Sequence, residues 1–134
     1  MFVQVVDYQG KQVSIDPLRV IKIREAVLAD EPTATVFIDF VSGGTFARDT
    51  IANILRLFGT QIRLAALHAP NGAPVYLNSD GIAAVAVDGV YQGNSVAVVT
   101  RDFQNDRVLA RNKIALRETV TEAQQIIAAA RLVA

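Results

Sequence analysis

The chain has 134 residues, of which 51% are apolar, with a mean hydropathy of +0.31 and 13 basic residues balancing 13 acidic ones. That length suits one compact domain, and the neutral balance lacks the basic excess expected of a nucleic-acid binder. Cysteine is absent and His68 is the single histidine, which excludes disulfides, thiolate chemistry and a multi-histidine metal site within one chain.

From the N-terminus, Phe2 to Tyr8 alternates imperfectly, Gln9-Gly10-Lys11 supplies a tight turn, and Val13 and Ile15 alternate with Gln12, Ser14 and Asp16. This predicts a β-hairpin. Asp16-Pro17 breaks the strand because proline lacks a backbone donor, and a third strand follows at Val20 to Arg24, with Ile21 and Ile23 opposite Lys22 and Arg24. Ala29 to Thr33 reads as a loop, Thr35 to Val41 as a β-branched and aromatic strand, and Ser42-Gly43-Gly44 as a turn into a short strand at Thr45 to Arg48. Asp49 or Thr50 can cap a helix of about 50–58, in which Ile51, Ile54, Leu55 and Phe58 form one face and Gly59 ends the helix left-handed.

The order then repeats. Strands are expected near Ile62 to Ala66, Val75 to Leu77, Ile82 to Val87, Ser95 to Arg101 and Ile114 to Arg117. A helix of about 120–131 follows, with a Thr119/Glu122 capping box and a stripe of Val120, Ala123, Ile126, Ile127 and Ala130. A shift of 62 residues lays Gly10-Lys-Gln-Val13-Ser-Ile15-Asp16 over Gly72-Ala-Pro-Val75-Tyr-Leu77-Asn78, and a shift of 69 lays Arg48-Asp49-Thr50-Ile51 over Arg117-Glu118-Thr119-Val120. The expected fold is therefore α+β and β-rich: a tandem repeat, 1–59 and 60–134, each copy about five short antiparallel strands followed by one helix. The two are expected to share one compact domain about a pseudo-twofold axis.

The copies differ in two places. Ile82-Ala-Ala-Val-Ala-Val87 has no polar face, whereas its counterpart carries Lys22 and Arg24. A strand apolar on both sides belongs either between the repeats or at a subunit contact, so Ile82, Val85 and Val87 are candidates for such a buried strand. The second difference is an insertion at about Asp102 to Asn112, either a longer hairpin or an added strand near Val108 to Ala110. Around it Arg101, Arg107, Arg111, Lys113 and Arg117 face only Asp102 and Asp106, a local excess of positive charge beside Phe103. That segment is a candidate interaction surface, or a solvated hairpin whose charges protect an edge.

Other candidate sites are weaker. His68 can act as a general base only beside a carboxylate, and no spacing around it resembles a triad or dyad, so it reads as a turn histidine. Gly43-Gly44 and Gly89 to Gly93 lack the Lys-Ser/Thr of a phosphate loop and read as hairpin turns. Asp102, Asn105 and Asp106 lack the glycine and distal glutamate of a calcium loop. No metal, cofactor or catalytic residue is expected.

The longest apolar runs, Ile82 to Val87 and Ile126 to Ala130, fall far short of the roughly 18–20 residues that cross a bilayer, and no basic region precedes an N-terminal apolar stretch. A cytoplasmic protein without membrane contact is expected, and its high apolar content favours a homo-oligomer.

The order of the Asn71-Gly72 turn, Val75-Tyr76-Leu77-Asn78, Ile82, a central strand pair and Arg117-Glu118-Thr119-Val120 leading into a helix resembles the small FlbD-type proteins of flagella and swarming motility. The resemblance covers about 60–130 and, through Ser14-Ile15-Asp16 and Arg48-Asp49-Thr50, extends to 1–59. It implies a bacterial, non-enzymatic accessory or regulatory protein acting through protein–protein contacts. Two consecutive strand-rich units with a helix also describe the tandem single-strand nucleic-acid binders of PUR and Whirly type, which is the alternative for the basic 101–117 segment.

Overall fold

The first hairpin of each half of the chain turns where a glycine permits a left-handed backbone: φ is +85° at Gly10 and +87° at Gly72. The computed structural model describes residues 1–26, 28–40, 43–87, 95–99 and 113–132, in two units, Met1–Ile62 and Arg63–Ala134.

In the first unit, β1 (Val3–Val6) pairs antiparallel with β2 (Gln12–Ile15), Val3 opposite Ile15 and Val6 opposite Gln12. A 3₁₀ turn at Pro17–Arg19 then redirects the chain, and Oδ1 of Asp16 accepts the Leu18 N–H at 3.1 Å. Next, β3 (Val20–Glu25), β4 (Val36–Phe40) and β5 (Gly43–Ala47) form an antiparallel meander, joined to the end of β1 by an Asp7–Ala47 bridge. The helix α1 (Ile51–Gly59) starts at Thr50, whose hydroxyl accepts the Asn53 N–H at 3.2 Å. It packs on β3, and Ile54 and Phe58 are fully buried. Each such side chain contributes about 1.5–3 kcal/mol by leaving water. Val20, Ile23, Val36 and Ile38 complete this core.

The second unit repeats the order. β6 (Leu64–His68) pairs with β7 (Pro74–Asn78), and a 3₁₀ turn at Ser79–Gly81 follows, with Oδ1 of Asn78 accepting the Asp80 N–H at 3.3 Å. β8 (Ile82–Val87), β9 (Ser95–Val99) and β10 (Lys113–Leu116) form a three-stranded antiparallel sheet in the order β10-β9-β8. The helix α2 (Val120–Leu132) packs on β6 and β8, burying Ala123 and Ile127. Its capping box is formed in both directions: Thr119 Oγ1 accepts the Glu122 N–H at 3.2 Å, and Glu122 Oε1 accepts the Thr119 N–H at 3.1 Å.

The fold is thus α+β and β-rich, and the repeat extends to irregularities. A β-bulge falls between Val20 and Lys22 in β3 and between Ile82 and Ala84 in β8, positions that coincide under the 62-residue shift. Likewise the Arg48 N–H donates to the Val6 carbonyl at 2.8 Å, and the Arg117 N–H to the His68 carbonyl at 2.8 Å. In each unit the residue after the third meander strand is bonded to the first hairpin.

Three local expectations need correction or placement. Gly59 does not end α1 left-handed: it lies within the helix, and Thr60 follows in right-handed conformation (φ −76°, ψ −16°). Its hydroxyl donates to the Leu57 carbonyl at 3.0 Å, satisfying an orphan acceptor without a left-handed residue. The first strand of the second unit begins at Leu64 rather than Ile62, because the Ile62 N–H is still held by the Phe58 carbonyl at 3.0 Å. The added strand considered near Val108 to Ala110 lies outside the described residues.

Candidate functional site

In the second unit, β8 is an edge strand of the three-stranded sheet. Burial fades along it: Ile82 is 5% exposed, Val85 half-buried, and Val87 66% exposed, with Ala84 and Ala86 also exposed. Of the candidate residues Ile82, Val85 and Val87, Ile82 is thus buried within the chain and Val87 is exposed on it.

Between β8 and α2 lies an open groove of about 230 Å³, lined by Ile82, Ala84, Val85, Gln124, Ile127, Ala128 and Arg131. It is smaller than the roughly 300–1,000 Å³ of small-molecule pockets. Arg131 is the charged member of this lining. Its Nε and Nη2 donate to the Ser79 carbonyl at 3.0 and 2.7 Å, and Nη2 also donates to the Ile82 carbonyl at 2.5 Å. The last turn of α2 is in turn held by Arg63, whose Nη1 donates to the Arg131 carbonyl at 2.5 Å.

Of the basic cluster, Arg101, Arg107 and Arg111 lie outside the described residues, as do Phe103 and the oxygen-rich Asp102, Asn105 and Asp106. Lys113 is placed by its backbone at the start of β10, and Arg117 is exposed just past its end, with Nη1 3.3 Å from where a side chain on Gly72 would begin. Among the described residues, no group of three or more acidic or histidine side chains is arranged to hold a metal ion, and no helix is long and apolar enough to cross a membrane.

The first unit carries a constellation that the sequence did not reveal. Cross-strand register aligns Tyr8, Phe46 of β5, Phe37 of β4 and Arg24 of β3 in one row. Tyr8 meets Phe46 edge to face at 6.2 Å between centroids, Phe46 and Phe37 are 4.8 Å apart, and the Arg24 guanidinium lies 4.9 Å from the Phe37 centroid. Glu31 clamps Arg24 through two hydrogen bonds of 2.8 and 2.6 Å, which push the guanidinium further above its ordinary pKa against the opposing effect of burial. Beside them Lys22 faces Asp39 across β3 and β4. Burial lowers the lysine pKa and raises that of the aspartate, each partly offset by the other's charge.

A second pairing corrects the reading of His68 as a turn histidine lacking a carboxylate. Nδ1 of His68 lies 2.7 Å from Oε2 of Glu118, and the His68 N–H donates to Oε1 of the same carboxylate at 2.9 Å. Burial by itself raises the Glu118 pKa, but the hydrogen bonds from the His68 ring and backbone outweigh it and hold the carboxyl below its ordinary range. A carboxylate-oriented imidazole is half of a general-base arrangement. The 50 residues separating the pair hid it.

Compared with known proteins, the chain matches no protein-family model, no curated protein and no solved structure.

Proposed function

We propose that this chain is a non-enzymatic bacterial accessory or regulatory protein of the cytoplasm that works by binding another protein, as the resemblance to the FlbD-type family implies. The observation that carries the reading is the open end of β8, an apolar edge strand with Ala84, Ala86 and Val87 exposed. Edge strands offer unpaired backbone groups to an added strand, and natural proteins usually shield them with charge or proline, neither of which Ile82 to Val87 contains. The test is affinity capture from the native host with the wild-type chain and Val87→Asp, with crosslinks mapped by mass spectrometry. A partner crosslinked along β8 and lost from Val87→Asp at unchanged melting temperature supports the reading. A partner retained at full strength by the variant refutes it.

A second reading, association with single-stranded nucleic acid, is favoured by the row of Tyr8, Phe46 and Phe37 with Arg24 and the exposed Arg48 nearby. Stacking aromatics interleaved with cations is the chemistry of such sites. Labelled single-stranded DNA that shifts at low salt and releases steeply with added salt supports it, and no shift at micromolar protein removes it.

A further inference from the structure

The groove beside β8 borders the edge of that strand and not one face alone. Successive strand residues point to opposite faces, yet Ala84 and Val85 both line it, in the part of β8 whose pairing with β9 is regular after the bulge. The facing wall is one stripe of α2, where Gln124, Ile127, Ala128 and Arg131 recur at helical spacing. This lining holds one cation and no acid.

Two guanidinium groups meet the last turn of α2, and among the described residues neither has a carboxylate partner. Arg131 bonds the Ser79 and Ile82 carbonyls through Nε and Nη2, so among the described residues its Nη1 donors are unbonded. Arg63 bonds the Arg131 carbonyl through Nη1 and likewise keeps Nε and Nη2. Ser79 closes the knot, its N–H and hydroxyl donating to the Arg63 carbonyl at 2.9 and 2.8 Å. Backbone carbonyls thus hold both forks in place before any anion arrives, which removes part of the ordering cost of binding one.

We propose, resting on the reading of β8 as a protein-binding edge, that this groove receives the free C-terminus of a partner chain. An extended tail pairs antiparallel with Ala84 to Val87, sets apolar side chains between β8 and α2, and presents its terminal carboxylate to Arg131 and Arg63. Direction and charge select this occupant. A strand antiparallel to β8 runs from Val87 towards Ile82 and reaches Arg131 with its last residue, whereas a parallel one would bring a cationic amino end to the same place. An internal acidic residue fits less well than a terminus, because the Ile82 carbonyl is already taken by Arg131 and a ladder stops there. The volume of about 230 Å³ is small for a drug-sized ligand and leaves room for side chains of a tail.

The test uses the full chain and a library of random heptapeptides displayed with free C-termini. Selected sequences are synthesised as free acids and as C-terminal amides, and anisotropy measures their affinity for wild type, Gln124→Glu, Gln124→Lys, Arg63→Gln and Val87→Asp. Tails with an apolar last residue should be enriched, and amidation should weaken them roughly tenfold or more. Gln124 is exposed, so its exchanges move charge beside the groove without breaking the backbone bonds that Arg131 makes. Gln124→Glu should weaken the acid and Gln124→Lys strengthen it, Arg63→Gln should weaken the acid but not the amide, and Val87→Asp should weaken both. A library that yields no binder overturns the proposal and leaves the β8 edge to the capture experiment. Amides as tight as acids, yet lost from Val87→Asp, overturn the terminus while keeping the edge; amides that bind only when they carry glutamate or aspartate overturn it in favour of an acidic side chain. Tails held equally by Val87→Asp and wild type refute the edge itself.

Discussion

The Glu118 carboxylate holds His68 at two points, the ring Nδ1 at 2.7 Å and the backbone N–H at 2.9 Å, and so ties the entry to α2 to the end of β6. In the first unit the equivalent positions under the repeat shifts are Val6 and Asp49, and there the carboxylate turns instead to its own helix start, accepting from the Thr50 N–H and the Asn53 amide. One copy uses the acidic residue as a local cap and the other as a long-range clamp.

A sign follows for pH. The folded-state pKa of Glu118 lies below its ordinary 4.5, so in that range the unfolded chain binds more protons and stability rises with pH. The contribution is complete above the unfolded value and is lost as pH falls through the depressed folded value. Glu118→Gln should cost about 1 kcal/mol near neutrality, the half-exposed ring keeping the figure modest. Thermal melts of both proteins from neutral to acidic pH should converge below pH 4.5; a gap independent of pH would refute the clamp.

Arg131 is a second long-range tie, since its guanidinium satisfies the carbonyls of Ser79 and Ile82 from the last turn of α2. Ser79 is fully buried, so removing the donors leaves an acceptor shut away from water. Arg131→Met, which keeps the aliphatic stem, should lower stability by about 2 kcal/mol. Urea unfolding should show the midpoint shift at an unchanged slope.

Gly44 makes room for the aromatic row. A Cβ placed there would lie 2.5 Å from Cζ of Phe37 and 2.9 Å from its Cε1, so the ring must swing away from Phe46 and Arg24. Gly44→Ala should cost about 1–2 kcal/mol in the wild-type background. In a Phe37→Ala background the same change should cost markedly less, because the ring clash is gone and only the Ile38 carbonyl oxygen, at 3.3 Å, crowds the new Cβ. Equal costs in both backgrounds would show that the ring is not the obstacle.

Backbone conformation predicts changes of opposite sign at two turns. Gly10 at φ +85° has nothing within 4 Å of its missing side chain, so Gly10→Ala should cost about 1 kcal/mol through backbone strain alone. Ala34 adopts φ +55° with a Cβ in place, and Ala34→Gly should stabilise by up to about 1 kcal/mol. Melting temperatures of the two variants should move in opposite directions.

Local chemistry was legible from the chain. Thr50 and Thr119 begin helices because their hydroxyls can accept orphan amides, and α1 at Ile51–Gly59 and α2 at Val120–Leu132 fall close to the expected 50–58 and 120–131. Gly10, Gly72 and Asp16-Pro17 punctuate the strands as the sequence reading expects. These features depend on residues within a few positions of one another, where sequence spacing is spatial spacing.

What acts across the fold was not legible. The row from Tyr8 through Phe46 and Phe37 to Arg24 exists only once strand register brings four segments side by side, and His68 meets Glu118 only when β6 and the start of α2 are adjacent. The apolar run Ile82 to Val87 reads the same whether covered or open, because hydropathy records what a side chain prefers and not what stands over it. By itself the sequence determined the repeat, the Gly10 and Gly72 turns and the Thr50 and Thr119 caps; tertiary structure decided that Gly43 and Gly44 lie in β5 and that Ile82 is buried while Val87 is not, because pairing and cover depend on what other segments bring alongside.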